Sequence, residues 1–336
     1  MIRPRVAVLY NAPVLPRDHL DHESEAGVVA AARSVRDALK ANGFRPFLLA
    51  AHAPAQRLVN RLVKTHPDLV FNLIEGFAGH SGGEAHVTSL LELMRIPYTG
   101  CPPEAQAIGR HKAMTKRLLA GSGLPTARFW SVEQGDPLPI DPWPGTVFVK
   151  PESEDASLGI SQDSVVDSPD DLARRVEVVR ADHGPRVLIE SYLPGPEFNI
   201  GVLALPNPVA LPAAEIVYIP AEGRWPILTY EAKWDVGSRA DLASLPRCPA
   251  EIDGVLADQL GKLAVSAFRA CGCRDYARVD FRLDAAGAPM ILEVNPNPDL
   301  DPSAGLARAI QASGRDWGGT VAALAHQAIE RGPRRG

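Results

Sequence analysis

Asp280, Glu293 and Asn295 are the residues whose types and spacing most clearly suit chemistry. Arg278, Asp280 and Arg282 alternate with Val279, Phe281 and Leu283; Glu293 and Asn295 alternate with Leu292 and Val294. A period of two puts each polar set on one face of a strand. Residues 284–287 between them have turn composition, so the strands fold into a hairpin that gathers the three. Three oxygen donors, two of them anionic, suit a hard cation such as Mg²⁺ that also holds substrate phosphates. The solvated face of an ordinary amphipathic hairpin would show the same alternation.

Two lysines add to this set. Lys112 lies in a helical stretch, 104–121, and Lys150 closes the strand pattern 146–151. Directly after it, the small residues around Ser157 and Gly159 can offer backbone N–H groups to phosphate oxygens. The G-K-[ST] ending of a Walker A loop is absent. The loop 75–84 carries four glycines and His80, which permit close approach to a ligand or simply a turn. Each lysine taken singly also reads as solvated surface.

Elements must position these groups. Strands at 6–10, 44–49 and 68–74 alternate with helices at 25–42, 55–65 and 83–94, followed by a short strand at 96–99. That order predicts an open parallel α/β sheet with ligands at the strand C-termini, after Tyr10 and Ile74. A helix at 169–180 with Ser168 as N-cap, strands at 186–192 and 197–203, and a helix at 253–271 lead into the hairpin. Helices at 303–312 and 317–330 close the chain. Residues 221–250 have weak periodicity, and a long irregular segment in a compact enzyme is usually functional.

The bulk numbers bound the class. At 336 residues, 46% hydrophobic and 22% charged, the chain suits two or three soluble globular domains. A net charge of −5 gives no electrostatic case for nucleic acid, and no run is long enough for a membrane span. Four cysteines without zinc spacing suit a reducing compartment. No signal peptide is evident, so a cytoplasmic protein is expected.

The ordered set resembles the ATP-grasp superfamily, specifically the D-alanine–D-alanine ligase branch. It is carried by residues 91–100, Val149-Lys150-Pro151, Leu193-Pro194-Gly195-Pro196-Glu197-Phe198, Tyr230-Glu231-Ala232-Lys233, Arg278-Val279-Asp280 and Glu293-Val294-Asn295. The resemblance implies an α/β (α+β) ATP-grasp fold: an N-terminal α/β domain (1–100), a central domain (101–185) and a C-terminal domain (186–332). ATP would lie between two antiparallel sheets. A carboxylate would attack the γ-phosphate to give an acyl phosphate, and an amine would then displace phosphate to form an amide.

The resemblance also implies roles. Asp280, Glu293 and Asn295 would hold two Mg²⁺ ions, with Mn²⁺ as the alternative. Lys112 and Lys150 would contact phosphates and Lys233 the transferring phosphoryl group. Ser157 and the 156–159 backbone, including Gly159, would cap them. Glu190 and Glu197 would accept from the adenine amine and ribose hydroxyls. Arg278 would act as oxyanion donor. Glu25, or Glu23 close by, would fix a substrate ammonium, and Glu75 stands where the family has a histidine. The implied partners are a small carboxylate and an amine, with room for a homodimer by analogy.

Departures gather at the substrate end. Ala156 replaces the first of two serines and Trp234 a tyrosine, so two hydroxyls of the family's loop-closing network are missing. Asp299 occupies the place of a glycine whose N–H helps form the oxyanion hole, and Asp301 follows it. Two aspartates there oppose a bound carboxylate. The expected activity is therefore an ATP-dependent carboxylate–amine ligase whose amine lacks a carboxylate at that point or carries an extra cation. The rivals are a true D-alanine–D-alanine ligase, an ATP-grasp kinase or cyclising enzyme, and a non-catalytic nucleotide-binding module.

Overall fold

The computed structural model describes residues 3–12, 22–78, 82–154 and 157–333, with the side chains of 22–26 outside that description. His80 and Ala156 thus lie outside the described residues, as do the side chains of Glu23 and Glu25.

The first unit is built from β1 (Arg5–Asn11), α1 (His22–Ala41), β2 (Arg45–Ala51), α2 (Ala55–Thr65), β3 (Leu69–Leu73) and α3 (Gly83–Leu93). The strands form a parallel sheet in the order β2-β1-β3. Alternate residues of β1 enter opposite cores: Val6 and Val8 pack beneath α1, and Ala7 and Leu9 beneath α2 and α3. A strand covered on both faces needs the continuous apolar run that β1 has. The strand expected at 96–99 shrinks to a single parallel bridge, Val70 to Tyr98.

The second unit comprises α4 (Pro103–Arg110), α5 (Lys112–Gly121), β4 (Phe129–Val132), β5 (Val147–Pro151), β6 (Val165–Val166), α6 (Pro169–His183) and β7 (Val187–Ser191). The single helix expected over 104–121 is broken at His111, whose φ of −92° and ψ of 89° leave the helical region. The break turns Lys112 into the first residue of a new helix. The antiparallel sheet β4-β7-β5-β6 is covered by α6, and Ser168 caps α6 as expected by accepting from the Asp171 N–H.

The third unit comprises β8 (Glu197–Ala204), β9 (Pro208–Ala210), β10 (Ala214–Tyr218), α7 (Tyr230–Trp234), α8 (Arg239–Leu242), β11 (Ser244–Arg247), α9 (Gly254–Ala270), β12 (Tyr276–Leu283), β13 (Pro289–Asn295), α10 (Gly305–Ala312) and α11 (Trp317–Arg331). Its sheet runs β11-β10-β8-β12-β13, with β9 paired to β8, over α9. The segment read as irregular holds α7, α8 and β11; too short to show a period, they are held by packing. Helices α10 and α11 return to the first sheet and share its core with Val6, Val8 and Phe71.

The β12–β13 hairpin forms as expected, with Asp284 Oδ1 accepting from Ala286 and Ala288 N–H in its turn. Its polar face is buried at Asp280 and Arg282 and half-buried at Arg278, Glu293 and Asn295. Asp280 is 6% exposed and Arg282 5%, because β8 lies alongside and sets Asn199 opposite Asp280. The amphipathic-surface reading of the hairpin is thereby overturned: buried charges need partners.

Candidate active site

Asp280 and Glu293 are register partners across β12 and β13, at a point where the register shifts by a bulge. Such a bulge re-aims the side chains beside it. Glu293 faces Lys112, at 3.8 Å from Oε2 to Nζ. Burial would raise its carboxyl, but Lys112, Lys150, Arg278 and Lys233 together hold it down to about 2. It is an anion inside a ring of cations. Asp280 receives Arg278 with both oxygens, Nε to Oδ1 at 2.7 Å and Nη2 to Oδ2 at 2.8 Å, and Asn199 Nδ2 donates to Oδ1 at 2.8 Å. Asn295 Oδ1 accepts from the Asn297 N–H at 2.8 Å and keeps a second lone pair. Among the described residues no set of three or more His, Cys, Asp or Glu is arranged to hold a metal alone; the platform is two carboxylates and an amide.

Lys150 and Glu190 form an ion pair of 2.7 Å, and Lys116 closes on the other Glu190 oxygen. Lys116 is fully buried and also donates to Thr126 Oγ1 at 2.8 Å. Burial pushes its ammonium below the ordinary lysine value, with Glu190 opposing and Lys150 adding to the shift. Burial would raise Glu190, yet Lys116 and Lys150 bring it below the usual range. Glu190 is therefore occupied by two lysines rather than open toward a ligand. Glu197 accepts from the Tyr218 hydroxyl at 2.8 Å.

Lys116 and Asn199 were not singled out from the sequence. Lys116 is four residues beyond Lys112, one turn along the same helix face, and Asn199 alternates with Glu197 on β8. Both signals were there to be used.

The loop expected to cap phosphates is bent. Ser157 has a φ of 63° and Gly159 of 74°. A Cβ on Gly159 would meet Pro151 Cγ at 2.7 Å and the His183 ring at 2.8 Å, so only glycine fits. Arg175 donates to the Gly159 carbonyl and to Ser164 Oγ.

The loop after β13 meets the end of β3. Asn297 Nδ2 donates to the Ile74 carbonyl at 2.7 Å, which brings Asp299 toward Glu75. Glu75 and Asp299 each keep more than a third of their surface exposed in the open cleft; desolvation by the surrounding protein and the Asp299 charge raise the Glu75 carboxyl to about 7, against the pull of Lys233, and desolvation first raises Asp299. Lys233, on α7, is exposed to the open cleft; desolvation by the surrounding protein and the Arg278 charge lower it, and its ammonium lies 5.3 Å from the Trp234 ring centre. Asp301 lies beside Asp299 in the same turn, its N–H donating to Asp299 Oδ1 at 2.7 Å and its own Oδ1 accepting from Ser303 N and Oγ. The site thus gathers Lys112, Lys233, Arg278, Asp280 and Glu293, with Lys150 and Glu190 beside it and Glu75 and Asp299 at one end.

A family profile described as D-ala D-ala ligase C-terminus matches residues 140–326. The chain belongs to the D-alanine–D-alanine ligase family. The D-alanine–D-alanine ligase of Desulforudis audaxviator is 33% identical over 303 residues, which cover 89% of this chain and 92% of that one. A Sinorhizobium fredii protein, y4sG, is 34% identical over 253 residues, 75% of this chain and 72% of its own. A Bacillus anthracis D-alanine–D-alanine ligase solved in complex with ATP superposes with a TM-score of 0.76 over 98% of each chain at 18% identity, a likeness of fold. The ATP-grasp arrangement of this family is thus the one described above. Among the described residues no helix is long and apolar enough to cross a membrane.

Proposed function

We propose that the protein is an ATP-dependent carboxylate–amine ligase that works through an acyl phosphate. One observation carries this: Glu293 stands opposite Asp280 with Lys112 3.8 Å away and Arg278 closed on Asp280, so two carboxylates and several cations share one patch. Such a charge pattern suits a triphosphate with its metal ions, since each brings the charge the other lacks. Asp280, Glu293 and Asn295 would hold Mg²⁺, which when bound would neutralise the phosphate oxygens.

The chain's own groups do the rest. Lys112 and Lys150 position phosphate oxygens. Lys233, with its lowered affinity for a proton, sits where the phosphoryl group is transferred, and Arg278 stabilises charge on the acyl carbon's oxygen. Glu190 orients Lys150, and Glu197 with Tyr218 takes the ribose hydroxyls. Ser157 and the Gly159 turn cap the phosphates, and Glu25 would hold the carboxylate substrate's ammonium. The division at about 100 and 185 goes with this reading, although β7 at Val187–Ser191 belongs to the central sheet.

The acceptor end carries Glu75 and Asp299, and like charge helps raise each, Asp299 acting on Glu75 and Asp301 on Asp299. A cationic or carboxylate-free amine relieves that repulsion, whereas an amino-acid carboxylate adds to it. The second reading, a true D-alanine–D-alanine ligase, is supported by the names of the relatives. A phosphate-release screen over amino acids and amines, with products weighed by mass spectrometry, separates the two. Fastest turnover with D-alanine alone, giving a D,D-dipeptide, would favour the second.

A further inference from the structure

The turn at Ser157–Gly159 is tied to the segment that carries Lys233 through the residues just after it. Gln162, in the 3-10 turn Gln162–Ser164, grips the backbone of Trp225 from both sides. Its Oε1 accepts from the Trp225 N–H at 2.7 Å, and its Nε2 donates to the Trp225 carbonyl at 3.3 Å. A second tie runs from the Tyr230 N–H, at the start of α7, to the Ile160 carbonyl at 3.1 Å.

Both ends of this bridge are anchored. On the loop side, Arg175 holds the Gly159 carbonyl and Ser164 Oγ, and Ser161 and Ser164 close a reciprocal capping pair around Gln162. On the other side, Arg282 Nη2 donates to the Pro226 carbonyl at 2.7 Å, and the Trp225 ring meets Tyr192 edge-on at 5.3 Å. Thr229 caps α7 through the Ala232 N–H. Two loops from different units are thus held in register by one side-chain amide that presents a donor and an acceptor to one peptide group.

We propose that Gln162 is a positioning residue, the clasp that holds the Ser157–Gly159 turn against the Trp225–Lys233 segment. It touches no reacting atom. It acts by setting where Ser157 and Gly159 on one side, and Lys233 on the other, stand relative to a bound nucleotide. The inference rests on the ligase reading for its purpose, but the clasp itself can be tested without turnover.

The test uses full-length wild type, Gln162→Ala and the near-isosteric Gln162→Glu, which keeps the acceptor and loses the donor. Two readouts are taken: trypsin cleavage after Arg224 in nucleotide-free protein, and release of a fluorescent ADP analogue in Mg²⁺. Two neutral hydrogen bonds correspond to about a tenfold change. Gln162→Ala should be cut and should release nucleotide about tenfold faster, with Gln162→Glu between it and wild type. The KM for ATP should rise more than kcat falls. Unchanged cleavage and release in Gln162→Ala would overturn the clasp and leave the ligase reading standing. Faster cleavage in a protein whose wild type binds no nucleotide would support the clasp and overturn the ligase reading instead.

Discussion

Arg278 closes a two-pronged ion pair on Asp280, with Nε 2.7 Å from Oδ1 and Nη2 2.8 Å from Oδ2. The proposed oxyanion donor and the proposed metal ligand therefore satisfy each other. Asp280, if it holds Mg²⁺ as proposed, would have to share its oxygens between the ion and the Arg278 guanidinium, and Arg278 would then be available to stabilise the acyl phosphate. Arg278→Met should lower kcat by about 10²-fold or more, the scale of losing one oxyanion donor. It should also lower the Mg²⁺ concentration needed for half-maximal nucleotide binding. Titrating Mg²⁺ against a fluorescent nucleotide checks the second effect; an unchanged Mg²⁺ dependence would sink that sharing.

Glu190 is gripped by Lys116 and Lys150. Lys116→Met removes one partner of a buried carboxylate and should destabilise the protein by about 3 kcal/mol, the lower end for breaking a buried pair, because Lys150 remains. That corresponds to a fall in Tm of about 5 °C or more. Thermal unfolding monitored by circular dichroism measures it.

Glu75 gives a pH signature. Its carboxyl is raised from 4.5 to about 7, so between those values the native state binds a proton that the unfolded chain has lost. Stability from this group should therefore fall as pH rises through that window. A cationic acceptor needs Glu75 ionised, so the amine KM should fall as pH rises through about 7. Glu75→Gln should remove that inflection in a KM-against-pH series; an inflection that survives would assign it elsewhere.

Asp299 should select the acceptor. Asp299→Gly removes the charge that opposes a carboxylate and should shift the ratio of kcat/KM toward carboxylate-bearing amines by about tenfold, the scale of one like-charge contact in a partly solvated cleft. Competition between D-alanine and a cationic amine, read by product mass, measures the ratio.

The sequence made the two layers of strand and helix readable because β1 and β3 are buried on both faces, and β12 because its polar residues recur every second position. It also marked Asp280, Glu293, Lys112, Lys150 and Lys233. It did not reveal the break at His111, since helical periodicity runs across it on both sides. Nor did it reveal that Arg282 and Asp280 are buried, because burial there comes from β8, whose pairing is a long-range contact. The short elements β11, α7 and α8 span less than two periods, so no repeat exists to be read. Gln162 carries no motif, and its role emerges only from the peptide group it faces.

The central claim is that a substrate carboxylate oxygen passes to phosphate. Incubating the protein with ATP, Mg²⁺, unlabelled amines and a panel of ¹⁸O-labelled carboxylates, then weighing the released phosphate, tests it directly. An acyl phosphate predicts phosphate carrying one ¹⁸O together with an amide product. Unlabelled phosphate, or label retained in a phosphorylated product with no amide formed, would contradict it.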